Sequence, residues 1–331
     1  MNIPDPALHT RLLPADRAGL DAAAALLDAG ACVAFPTETV YGLGGDATQP
    51  LAVARIYAAK GRPAFNPLIA HVPDLAAAMR EGVLDGMALV LARAFWPGPL
   101  TLVVPRRAGG TVCDLATAGM DSVALRVPAH PLALELLQRV GRPVAAPSAN
   151  RSGRVSPTTA THVMADLDGA IAAVLDGGAT QVGVESTIVA CLDGRVVLLR
   201  PGGITRDAIE AVLGRALDAA PESPANQPLA PGLLASHYAP AAPVRLEVVD
   251  IRPGEAALLF GPHPPMGLDD AVAAINLSPD GDLVEAAAAL FAALRQLDAV
   301  SPTAIAVVPI PAVGLGEAIR DRLARAAAPR A

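Results

Sequence analysis

Lys60-Gly61-Arg62-Pro63 sets two cations on a stiff turn, with Asn66 and His71 close behind. An ammonium and a guanidinium fork at that spacing can grip a polyphosphate, one as a point charge and the other bidentately. The same pair would also complement the dipole at a helix C-terminus. Composition leaves two readings: of 25 basic residues, Lys60 is the only lysine, either a surface lysine that survived by chance or one kept where a compact ammonium on a flexible stem is required. Its neighbourhood favours the second. Asn66 can read a base or a phosphate oxygen. His71 ends an apolar strand, where a satisfied core role is the ordinary one; the cationic loop before it points to a carboxylate contact.

Five further clusters carry polar chemistry. In Pro36 to Gly45, Thr37 and Thr39 alternate on an extended segment, and Gly42, Gly44 and Gly45 let backbone approach a ligand or turn with positive φ. In Ser122-Val123-Ala124-Leu125-Arg126, strand alternation puts Ser122, Ala124 and Arg126 on one face. An arginine in so apolar a strand needs an anion, from an internal acid or from a substrate carboxylate. Ala146 to Pro157 packs Ser148, Ser152, Ser156, Asn150, Arg151 and Arg154 into one loop before a helix. Its hydroxyls and guanidinium groups could bind phosphate, and Ser156 could cap the helix ahead of Pro157. Glu185-Ser186-Thr187 and Arg200-Pro201-Gly202 put polar groups at strand ends, where Arg200 suits an anion or a ribose. His237-Tyr238 lies in a proline-rich stretch, where an aromatic can swing over a site as a lid.

Several classes are excluded. The chain has no G-x-x-x-x-G-K-[ST], no G-x-G-x-x-G after a strand, no H-E-x-x-H and no zinc-spaced cysteine pair. A nucleotide, if bound, needs a site of another kind. Net charge is −7, which argues against a dedicated nucleic-acid binder. Residues 1–210 hold 17 basic against 19 acidic residues, and 211–331 hold 8 against 13, so the first part alone is near neutral. Cys32, Cys113 and Cys191 are scattered as buried free thiols would be in a reducing compartment. No apolar run approaches the ~20 residues of a membrane span, and the N-terminus has no signal-peptide pattern. The expected location is the cytoplasm, with no membrane association.

These clusters need elements to position them. Strands are expected near 31–35, 68–72, 100–104, 122–127, 144–146, 171–175, 186–192 and 195–200. Helices are expected over 18–29, 50–60, 74–80, 86–95, 131–140, 158–167 and 205–216, with 36–45 as a glycine-rich loop. Their uneven alternation predicts a twisted mixed sheet with flanking helices over 1–216. Residues 217–243 read as a semi-rigid linker. Residues 244–331 read as a small α/β domain, parallel in character, with strands near 244–249, 256–260, 272–277 and 304–308 and helices over 283–297 and 315–327.

Taken together, Pro36-Thr37-Glu38-Thr39-Val40-Tyr41-Gly42, Lys60-Gly61-Arg62-Pro63, Asn66-Pro67-Leu68, Pro147-Ser148-Ala149-Asn150, Ser152-Gly153 and Arg200-Pro201-Gly202 resemble the YrdC-type domain. With His237-Tyr238-Ala239-Pro240 and a small second domain, the whole chain resembles the two-domain threonylcarbamoyl-AMP synthases. The resemblance implies a YrdC-like sheet domain plus a Rossmann-like one. It implies a nucleotidyltransferase acting on ATP, L-threonine and bicarbonate with Mg²⁺, whose product passes to a tRNA-modifying complex. Thr39, His71, Arg126, Ala146 (through its backbone) and Ser186 match threonine-binding positions. Lys60, Arg62, Asn66, Ser122, Ser148, Ser156 and Arg200 match ATP-binding positions, and Tyr238 belongs to the lid-like linker. Lys60 and Arg62 are the expected catalytic cations, and no metal-ligating residue is expected. Two other readings compete: an RNA-binding module, with weak tRNA binding at most given the charge, and a carbamoyltransferase-related protein. The related carbamoyltransferases carry zinc-binding cysteine pairs, which this chain lacks.

Overall fold

A computed structural model describes residues 9–63, 66–219 and 237–329. Most of the 217–243 linker therefore lies outside the described residues. The first part of the chain runs β1 (Arg11–Leu13), α1 (Arg17–Asp28), β2 (Val33–Phe35), β3 (Gly42–Asp46), α2 (Pro50–Lys60), β4 (Ile69–His71), α3 (Leu75–Glu81), α4 (Gly86–Phe95), β5 (Leu100–Pro105), α5 (Asp114–Thr117), β6 (Ser122–Arg126), α6 (Pro131–Val140), β7 (Val144–Ala145), α7 (Ala160–Leu167), β8 (Ala173–Leu175), β9 (Thr187–Leu192), β10 (Arg195–Arg200) and α8 (Arg206–Leu213). Its ten strands form one sheet in the order β1-β8-β2-β3-β7-β4-β6-β5-β9-β10. Pairing is mixed, as the uneven spacing predicts: β4 lies parallel to β6, whereas β3 and β7, β7 and β4, and β5 and β6 are antiparallel.

The second part runs β11 (Val244–Arg245), β12 (Ala256–Leu259), β13 (Ala273–Asn276), α9 (Leu283–Ala299), β14 (Ile305–Val307) and α10 (Gly316–Ala327). Its four strands are all parallel, in the order β11-β14-β12-β13. The apolar face of α9, with Leu290, Phe291, Leu294 and Leu297 buried, packs on this sheet.

Three expectations are revised. The segment 42–46 is a strand, not a loop. Its glycines serve close packing: a Cβ on Gly44 would lie 2.8 Å from the Phe35 ring, and one on Gly45 would lie 2.9 Å from Ile56. Ser156 does not cap a helix, because α7 starts later, on Thr159, whose Oγ accepts from His162 N. The strand expected over 244–249 is only the two residues of β11. Two elements went unanticipated, β1 and α5, which are three and four residues long and too short for a periodic signal.

Candidate functional site

The middle of the large sheet brings the sequence clusters together. Register across the β4–β6 ladder sets His71 beside Arg126. Antiparallel β7 closes on β4, and the chain then continues with Ala146 N donating to Ile69 O at 3.0 Å. The loop after β7 runs along β3: Leu43 N donates to Pro147 O at 2.7 Å and Ala149 N to Tyr41 O at 2.8 Å. One cleft results, lined by Thr37, Thr39, Gly42, Arg62, Ile69, His71, Arg126, Ala146, Ser148, Glu185, Ser186, Arg200, His237 and Tyr238.

At one end a hydroxyl relay is fixed in direction. Thr37 Oγ donates to Val40 O at 2.7 Å, so it must accept from Thr39 Oγ at 2.8 Å. Thr39 in turn accepts from Arg126 Nη2 at 2.9 Å. Its proton being used, Thr39 can offer a ligand only a lone pair, which suits a hydroxyl donor. Arg126 Nη2 also lies 2.8 Å from Glu38 Oε1, both side chains buried, although neither Glu38 oxygen is in line for a hydrogen bond. Arg126 Nε is buried without a hydrogen-bond partner among the described residues. A guanidinium so sparsely satisfied is ready for a carboxylate.

His71 is a neutral partner here, not a second cation. Burial, and then the Arg126 charge, push it down from 6.5 to about 3. Its Nδ1 lies 3.2 Å from Ile69 O. Of the pair expected at a carboxylate, Arg126 alone carries a charge, and His71 offers a neutral ring. His237 is likewise held down to about 3, mainly by burial. These shifts have a stability consequence. Between pH 6.5 and about 3 the unfolded chain takes up protons at both positions and the folded chain does not. Each histidine thus lowers stability progressively as pH falls through that window, by up to ~1.4 kcal/mol per pH unit. The melting temperature should drop between pH 6.5 and 5, and the drop should shrink in His237→Gln. A flat melting curve over that range would show that these imidazoles titrate normally.

At the other end the cleft is cationic. Arg62 lines it; its Nη2 donates to Pro67 O at 3.1 Å and its Nε to Asn66 O at 3.3 Å, and burial lowers its pKa to about 10. Asn66 lies behind, fully buried, with both side-chain polar atoms unpartnered among the described residues. Arg200 Nη2 donates to Ser186 O at 2.9 Å, and Ser186 Oγ lies 2.8 Å from Thr101 Oγ.

Lys60 differs from expectation. It is buried but does not line the cleft; Nζ donates to Ser148 O at 2.6 Å and Asn150 O at 2.5 Å. Two of its three protons thus hold the 147–150 loop. Its place follows from local structure: Pro50 opens α2, and Gly61 closes it in the left-handed region (φ 60°), making Lys60 the last helical residue. Burial, then Arg62, lower its pKa well below 10.5. Ser122 stands at the opposite end of β6 from Arg126, half-buried and outside the cleft lining. Ser156 is also outside it, its Oγ 2.5 Å from Glu185 Oε1.

Two acids that sequence reasoning left without a role border the site. Glu38 flanks Thr39, and Glu185 precedes Ser186; their adjacency to chosen residues was the available signal. Among the described residues, Glu185 is the one acidic residue lining the cleft. Among the described residues no cluster of three His, Cys, Asp or Glu could hold a metal ion. Tyr238 is buried at the cleft edge with positive φ (62°), its ring stacked on Phe291 at 5.6 Å and its hydroxyl unpartnered among the described residues.

Family models match residues 25–202, under the description telomere recombination, and 204–328, as threonylcarbamoyl-AMP synthase C-terminal domain. The chain is 43% identical to the threonylcarbamoyl-AMP synthase of Bacillus subtilis, over 93% of this chain and 92% of that one. The chain belongs to the threonylcarbamoyl-AMP synthase family. Its relative from Pyrococcus abyssi is 41% identical, over 92% of each chain. The crystal structure of Pyrococcus abyssi Sua5 complexed with L-threonine superposes with a TM-score of 0.86 and 38% identity, covering 96% of this chain and 97% of that one. Both sheets of this synthase-family chain are thus parts of one two-domain fold.

Proposed function

We propose that this synthase joins L-threonine, bicarbonate and ATP into threonylcarbamoyl-adenylate and releases pyrophosphate. One observation carries the reading: a buried, sparsely satisfied guanidinium beside a hydroxyl acceptor (Arg126 and Thr39) shares a cleft with two more buried guanidinium groups, Arg62 and Arg200. That arrangement suits a hydroxy-amino acid at one end and phosphates at the other.

Threonine's amine, as the free base, attacks bicarbonate with loss of water to form a carbamate, and a carbamate oxygen attacks the α-phosphorus as pyrophosphate leaves. Neither step needs a covalent enzyme intermediate. Positioning and charge neutralisation supply the catalysis. Arg126 holds the carboxylate, and Thr39 accepts from the substrate hydroxyl. Arg62 and Arg200 face the phosphates, and Lys60 holds the loop that presents Ser148. Asn66, Ser122 and Ser156 remain assigned to the nucleotide, Asn66 most directly because its amide is unsatisfied. Ala146 and Ser186 border the threonine end. Tyr238, with His237, covers the cleft as a lid. The donor set fits Mg²⁺ that arrives with ATP, since Glu185 is the single acid among the described residues that line the cleft and Mg²⁺ retains phosphate and water ligands. The ion would offset phosphate charge.

No helix among the described residues is long and apolar enough to cross a membrane. Three free cysteines suit the cytoplasm, where the product would pass to a threonylcarbamoyl-transferring complex acting on tRNA. Direct tRNA binding is expected to be weak for a chain of net charge −7.

Mass detection of the adenylate tests the proposal. The product should form with threonine and not when threonine is withheld. With 2-aminobutyrate, which lacks the hydroxyl, yield should fall at least tenfold. Equal turnover of both amino acids would remove Thr39 from recognition, and no adenylate at all would end the reading.

A further inference from the structure

Glu185 is held from two domains. Ser156 Oγ donates to its Oε1 at 2.5 Å from the large domain, and Arg322 Nε donates to its Oε2 at 2.8 Å from α10. Arg322 is entirely buried. Its Nη1 donates to Asp321 Oδ2 at 2.6 Å, and its guanidinium carbon lies 5.1 Å from the centre of the Tyr238 ring. One turn further along α10, Arg325 O accepts from His237 N at 3.2 Å, while Ala239 N donates to Gly153 O at 2.8 Å. The strap carrying His237 and Tyr238 is thereby stretched between the two domains, across the cleft it lines.

Burying an arginine is costly, and adhesion alone is better served by an apolar side chain. Arg322 sits among apolar residues of its own helix, Ile319, Leu323 and Ala326, so the position is otherwise an ordinary core site. Of the three side chains it engages, two belong to the cleft: the Glu185 carboxylate and the face of Tyr238. We infer that Arg322 is a positioning residue supplied by the C-terminal domain, fixing Glu185 and Tyr238 so that the cleft is complete only when α10 is docked. The inference rests on the cleft being the adenylate-forming site, and it gives the second domain a task in the reaction.

The test uses the full-length chain, with Arg322→Met and Arg322→Lys, after the wild type has been shown to make the adenylate in the same assay. A wild type without activity would count against the proposed function; the variants address Arg322. Pyrophosphate release is measured across threonine and ATP titrations and across pH. Arg322→Met should lower kcat/KM at least tenfold. It should also move the acid limb of the pH profile upward. Glu185 is buried and faces Arg322, Arg200, Lys60, His237 and Tyr238; burial opposes its charge, and Arg322 is the largest influence keeping its pKa low. Arg322→Lys keeps a charge but not the planar fork. It should return the acid limb to the wild-type position while leaving kcat/KM several-fold low. A folded variant with wild-type kinetics and pH profile, even one melting at lower temperature, would reduce Arg322 to adhesion. Should Arg322→Met not fold, Arg322→Lys decides: normal kcat/KM overturns the inference.

Discussion

Replacing Lys60 with alanine should lower adenylate formation by about a hundredfold or more, and arginine at that position should not restore it. The ammonium sits between the carbonyls of Ser148 and Asn150, at 2.6 and 2.5 Å. Removing it takes the ammonium from a part-buried acceptor, Ser148 O, and a buried one, Asn150 O, the buried loss costing ~1–3 kcal/mol. The loop must then move, and Ser148 and the following residues move with it. A displacement of ~1 Å at a reacting centre is enough for a hundredfold loss. Arginine is bulkier, and its planar fork cannot reproduce two convergent contacts on one nitrogen. Pyrophosphate release at saturating substrates reads the effect. A near-normal Lys60→Arg enzyme would remove this lysine from the mechanism.

Arg126→Ala should reduce kcat/KM for threonine by about a hundredfold or more, equivalent to ~3 kcal/mol for a desolvated charge pair left incomplete. Two losses combine. The substrate carboxylate loses its cation, and Glu38, buried and 2.8 Å from the guanidinium, loses its counter-charge. The second loss also destabilises the fold. Arg126→Lys separates them: the charge beside Glu38 is retained, while the joint contact to Glu38 and Thr39 is not. Calorimetric titration with threonine should therefore show weakened binding in both variants, with a lowered melting temperature chiefly in Arg126→Ala. Threonine affinity unchanged in Arg126→Lys would show that the carboxylate is held elsewhere. The same titrations bear on Tyr238. Because its ring packs on Phe291 within the C-terminal core, Tyr238→Phe is a cleaner probe of its hydroxyl than Tyr238→Ala.

Long helices were legible because their apolar period survives in any surroundings. The boundaries of α2, α4 and α6 coincide with Pro or Gly signals or with a clear apolar stripe. The strand β3 was not legible. Gly42 to Asp46 has no side-chain alternation to read, since the demand for glycine comes from Phe35 and Ile56 pressing on it. Ser156 illustrates the same limit. Its position before Pro157 suits a helix cap, yet its hydroxyl is taken by Glu185, 29 residues away in the chain. Arg322 did leave a trace, at the apolar spacing shared by Ile319, Leu323 and Ala326, but nothing local names its partner.

By itself the sequence marked where polar groups make demands (a lone lysine among arginines, paired threonines, an arginine in an apolar strand), and the class of chemistry came from the resemblance of its motifs to a family. It also determined a mixed sheet followed by a parallel one, because apolar period and breaker residues act locally. Only the tertiary structure decided which cation meets the cleft and which braces it, that His71 is neutral, and that a second domain reaches Glu185. These outcomes depend on burial and on carbonyls and charges far away in the chain, and no stretch of residues contains its own dielectric surroundings.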